Sequence, residues 1–264
     1  LEGTPSDAQI HEARVRIKRA RAVLGLLRGS MPTAREEGRA LAEAARALAG
    51  SRDATSLCEA MALLAERFGT LDTGAFARAA AELERREAGA RGGVGPGLIE
   101  SARLSLEGAA GRAPEWRIDA EGFDVVRAGL RRAYSRARRG RREGLGSPEA
   151  AERHAWRTEV KRLGEQVRLL ERVWPEVLGP QGAALRTIAA RLGVDHDLCL
   201  LAAALREHPE AFGEPGRVRA IARLAERAAR EQARGCRRPA RLALAEKPRA
   251  FVGRVEALWE AWRR

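Results

Sequence analysis

Lysine is almost missing from this chain. Of its 49 basic residues in 264 positions, only Lys18, Lys161 and Lys247 are lysines, so nearly all the cationic charge is carried by arginine. Aromatic residues are scarce too, at 4%, which leaves few platforms on which unpaired nucleobases could stack. The three cysteines, Cys58, Cys199 and Cys236, are odd in number, widely spaced and form no Cys-x-x-Cys pair. That pattern argues against a disulfide framework or a thiolate metal site and fits a reducing compartment. No apolar run approaches the ~18 residues of a membrane helix. The longest, Leu198 to Leu205, has eight residues. With no signal peptide visible, the expected setting is cytoplasmic and away from membranes. Walker, Gly-x-Gly-x-x-Gly, Gly-x-Ser-x-Gly and His-Glu-x-x-His patterns are all lacking, so no nucleotide cofactor, zinc or nucleophile elbow is indicated. We expect no enzyme and no cofactor.

What is present is positive charge and helix-forming residues. The net charge is +13 and the sequence pI about 11.1, which points to a polyanionic partner: nucleic acid, anionic lipid or a phosphate polymer. The apolar residues are mostly Ala and Leu, which favour helix over strand. Ile10, Ala13, Ile17, Ala20, Leu24 and Leu27 recur at spacings of three and four, making one buried stripe. Trp156, Val160, Leu163, Val167, Leu170 and Trp174 repeat the pattern, opened by Ser147-Pro148-Glu149 and stopped by Pro175. Further helices are expected over 34–49, 53–68, 74–88, 97–109, 122–141, 181–192, 196–207, 215–235 and 249–263, with no alternating strand pattern. The fold class is therefore all-α.

One sentence is written twice. His11-Glu12-Ala13-Arg14-Val15-Arg16-Ile17-Lys18-Arg19 recurs 143 positions later as His154-Ala155-Trp156-Arg157-Thr158-Glu159-Val160-Lys161-Arg162. A second landmark, Arg52-Asp53, is echoed at nearly the same offset by His196-Asp197. The two together predict a duplicated lobe within a single domain over 1–264, with an N-terminal part (1–115), a C-terminal part (120–264) and a pseudo-twofold relation. Glycine-rich residues 88–97 read as a flexible connection, and 108–122 as the border between the halves.

On a helix, positions 0, +3, +7 and +10 share a face. His11, Arg14, Lys18 and Arg21 thus form a cationic ridge ~15 Å long. His154, Arg157 and Lys161 form its counterpart, with Gly164 at +10. Like charges at such spacings disfavour a helix unless an anion, or an acid elsewhere in the fold, answers them. A third basic run, 131–142, puts Arg127, Arg131, Tyr134, Arg138 and Arg142 on one face. His196-Asp197 could hold a divalent ion, although surrounding arginine repels cations. Asp53 and Asp197 could cap helix N-termini, or orient the cations from behind.

At these residues the chain resembles the CHAD family, the conserved histidine α-helical domain. The resemblance rests on His11, Arg14, Lys18, Arg19 with Arg52-Asp53, and on His154, Arg157, Lys161, Arg162 with His196-Asp197. It spans essentially the whole chain, and the run around Tyr134 resembles the helix leading into the family's second half. The chain departs from the family at Gly164, and in lacking that leading helix in its first half. The resemblance implies two pseudo-symmetric helical bundles around a basic central channel and non-catalytic binding of inorganic polyphosphate, with association to polyphosphate granules. The binding residues it implies here are His11, Arg14, Lys18, Arg19, Arg21, Arg52, Arg131, Arg138, His154, Arg157, Lys161, Arg162 and His196, with Asp53 and Asp197 behind them. The alternatives are a binder of RNA or DNA backbones and a metal-dependent phosphohydrolase using His196-Asp197.

Overall fold

The computed structural model describes residues 6–48, 52–90, 95–147 and 149–264, and every regular element among them is helical. Residues 91–94 of the glycine-rich connection lie outside the described residues. No helix among those described is long and apolar enough to cross a membrane.

Helix α1 (Asp7–Leu26) begins at Ser6, where a capping box with Gln9 satisfies the first exposed N–H groups. Its apolar stripe packs on α2 (Ala34–Ala47), which packs in turn on α5 (Pro96–Arg112), burying Ile10, Ile17, Leu24, Leu41 and Ala102. Glu37 of α2, almost fully buried, pairs with Arg112 of α5 at 2.7 Å. The Arg112 hydrogen bonds hold its carboxyl below the usual range.

Two other cores lie beyond. In the first, α6 (Asp124–Gly146), α7 (Ala150–Leu170), the first half of α8 (Pro175–Glu207), α11 (Arg237–Ala243) and α12 (Pro248–Trp262) enclose Tyr134, Trp156, Leu163, Leu185 and Phe251. Tyr134 stacks on Phe251 with ring centroids 4.2 Å apart, and the Trp156 indole donates to the Ala137 carbonyl at 3.0 Å. In the second, α3 (Arg52–Phe68) and α4 (Thr73–Ala90) pack with the rest of α8, α9 (Pro209–Phe212) and α10 (Pro215–Gly235) around Met61, Leu64, Phe76, Leu201 and Ile221. Helix α8 thus passes through both cores.

That double burial explains the main departure from the periodicity. Separate helices were expected over 181–192 and 196–207, but α8 runs unbroken for 33 residues through Gly193. A mid-helix glycine costs about 1 kcal/mol, which packing on both halves of the helix readily offsets. Helix α11 was not expected at all; seven residues are too few to show a period.

Helix α1 crosses α6 backbone against backbone. A Cβ on Gly129 would fall 2.0 Å from the Leu26 carbonyl oxygen and 2.5 Å from that of Gly25. Nearby, the Ser30 hydroxyl donates to the Val125 carbonyl at 2.7 Å. Gly129→Ala should therefore push the helices apart and destabilise the fold by about 1–3 kcal/mol. Thermal unfolding checks this; an unchanged midpoint would mean the crossing is looser than described.

Candidate anion-binding groove

The α1–α6–α7 crossing leaves a cavity of about 250 Å3, and cations dominate its wall. Lys18 and Arg21 enter from α1, Arg28 from the turn after it, Arg132 and Arg136 from α6, and Arg157, Lys161 and Arg162 from α7. Glu165 is the one acid among the described residues lining it. An adjoining cavity of about 320 Å3 shares Lys18, Arg157, Lys161 and Glu165, and adds Arg186 and Asp197 from α8. Lys18 and Arg21 of the first ridge and Arg157 and Lys161 of the second therefore face these adjoining cavities, taken together as the groove.

Acids on α7 neutralise part of this charge. Lys18 reaches Glu165 at 2.8 Å, and Arg162 reaches Glu159 at 2.7 Å. The excess is still evident in the arginines themselves. Burial lowers the pKa of Arg21, and the charges of Arg162 and Arg46 lower it further. Burial does the same to Arg28, followed by Arg162, Arg136, Arg132 and Arg35. The Nε atoms of Arg28 and Arg157 are buried and take no hydrogen-bond partner, an arrangement that is rare and unfavourable without one. Arg157 packs on Gly193, where an added Cβ would meet its Nη2 at 3.2 Å. The glycine that failed to break α8 is thus the one that lets this guanidinium lie against it.

Behind the groove, the two landmarks of the second half meet. The His154 and His196 rings lie 4.0 Å apart between centroids. Burial lowers both pKa values below the ordinary imidazole range. Arg157 and Lys161 press further on His154, and His154 and Arg157 on His196; Asp197 opposes both shifts and Asp195 that of His196. The protonation expected near pH 6.5 is thus moved lower, and the folded chain keeps this pair neutral at pH 7. A folded-state pKa below the unfolded one means that stability is full above the unfolded value and falls as pH drops beneath it. The thermal midpoint should therefore fall more steeply between pH 7 and 5 in the wild type than in His154→Gln/His196→Gln. Parallel curves would count against the neutral pair.

One residue before each of those histidines is a buried pair that local spacing does not reveal. Arg153 Nε donates to Asp195 at 2.8 Å, with side-chain exposures of only 6% and 2%. Burial works against the Arg153 charge, but the Asp195 carboxylate and Cys199 beside it raise its pKa overall.

The other expected residues divide. Lys18, Arg21, Arg157, Lys161 and Arg162 line the groove. His11 and Arg19 are exposed and Arg14 is half-buried; all three are on α1 but line neither cavity. The side chains of Arg52 and Asp53 lie outside the described residues. Asp197 flanks the adjoining cavity, but the helix-capping role considered for it does not hold, because α8 is continuous there. Among the described residues no cluster of three or more His, Cys, Asp and Glu could hold a metal, so the His196-Asp197 metal reading gains no ligand set.

On α6 the groove takes Arg132 and Arg136, not Arg131 and Arg138. The expected face carries Tyr134, which is fully buried, and Arg127, which is bonded to Glu256 of α12. Tyr134 turns its part of the helix inward and leaves Arg132 and Arg136 toward α1, while Arg131 and Arg142 stay exposed beside it. The lone tyrosine was the signal for this register. Arg28 was equally findable, since it continues the spacing of His11, Arg14, Lys18 and Arg21 past Gly25.

The CHAD domain family model matches residues 2–206. No curated protein and no solved structure matches the chain.

Proposed function

We propose, because the chain belongs to the CHAD domain family, that its groove binds inorganic polyphosphate and does not turn it over. The observation that carries this reading is the α1–α6–α7 groove, where eight cations face a single lining acid. The family's link to polyphosphate agrees with it. Arginine forks suit phosphate oxygens in pairs, and six arginines line the groove. Association with polyphosphate granules would follow from the same contacts. A non-catalytic role is supported by a lining that supplies cationic donors and, from acids, Glu165 alone.

The second reading, a nucleic-acid backbone binder, uses the same charge. It is less favoured because aromatic side chains are few and none of the described residues lining the groove is aromatic. A competition titration at fixed ionic strength separates the two. Polyphosphate should displace RNA and duplex DNA of equal total charge. Preferential retention of either nucleic acid would reverse the assignment.

A further inference from the structure

Helix α6 carries its arginines past the groove. Arg139 and Arg142 follow Arg132 at +7 and +10, so Arg132, Arg136, Arg139 and Arg142 stay within roughly one-third of the helix circumference. At the far end Arg141 and Arg142 meet Arg237, Arg238 and Arg241 of α11 around a second cleft, of about 390 Å3, floored by Leu145 and Gly146. Among the described residues no acidic one lines it. Among the described residues, none of its five arginines, nor Arg139, makes an ion pair or hydrogen bond. Some exposed arginines elsewhere do find an acid: Arg16, Arg85 and Arg227 each pair with a glutamate on the same helix. Five guanidinium groups gathered without an acid repel one another, and a bound anion would relieve that repulsion. Arg237, Arg238 and Arg241 also lie beyond residue 206, where the family match ends.

We propose that this cleft is a second contact for the same polymer, reached from the groove along Arg136, Arg139 and Arg142, and that it makes the protein selective for long chains. The inference rests on the polyphosphate reading. Arg136 and Arg142 are about 9 Å apart along the helix axis. A chain held in the groove would therefore meet the cleft at high effective concentration, whereas a short oligomer would fill one site only.

The test titrates the full-length chain and Arg142→Gln/Arg238→Gln/Arg241→Gln with tripolyphosphate and with long-chain polyphosphate at several salt concentrations. All three positions are exposed, and circular dichroism verifies folding. The variant should lose roughly tenfold or more in long-chain affinity, with a salt dependence shallower by about two to three counterions, and should bind tripolyphosphate as the wild type does. Unchanged long-chain affinity would overturn the second contact. An equal loss for both lengths would do so too, since it would mark a general field effect. If the wild type binds neither, the polyphosphate reading falls and takes this one with it.

Discussion

Replacing Arg21 and Lys161 together with glutamate should weaken polyphosphate binding by about 100-fold or more while the helical content stays unchanged. Arg21 is partly desolvated but still reaches solvent, Lys161 is exposed, and both line the groove, one from each copy of the repeated motif. Hydrogen bonds to charged partners contribute about 1.5–3 kcal/mol each, so losing two accounts for that change before the repulsion of the new carboxylates is added. Equilibrium titration measures the loss, and circular dichroism separates it from misfolding. A variant that still binds within a few-fold of wild type would remove the groove from consideration.

The largest effect on stability should come from Asp195→Ala. It would leave the Arg153 side chain, 6% exposed, without its counter-charge in the core. Breaking a buried pair in this way costs about 3–5 kcal/mol, which lowers the thermal midpoint by on the order of 10 °C in a chain of this size. Replacing both partners with apolar residues, Arg153→Met/Asp195→Leu, should cost less than the single change, because no charge is stranded. A midpoint for Asp195→Ala close to wild type would show that water reaches Arg153. Asp197→Ala, two residues on and half-buried, should be much milder.

The repeated motif itself shows what a linear pattern can carry. Ile10 and Arg153 are equivalent positions of the two motifs, and both are buried. One is an ordinary core residue and the other an arginine that needs a partner 42 positions away. Periodicity identified the helices because one buried stripe is a local property. It also placed Lys18, Arg21, Arg157 and Lys161 on shared faces, and the fold brings them to one groove. It could not choose which face of α6 turned outward, because arginines lie all round that helix; packing of Tyr134 on Phe251 decides it. Nor could it foresee the contact of His154 with His196, or the continuity of α8 through Gly193. Both depend on how α7 and α8 lie together, which local spacing does not encode.

The scarcity of lysine offers the most direct test of the central claim. Reductive methylation with a 13C label keeps the charge and gives distinct signals for Lys18, Lys161 and Lys247. Lys18 and Lys161 line the groove, whereas Lys247 sits at the start of α12 and lines neither cavity. During titration with polyphosphate the first two signals should shift together and saturate while that of Lys247 stays in place. Uniform movement of all three, or movement of Lys247 alone, would contradict binding in the groove.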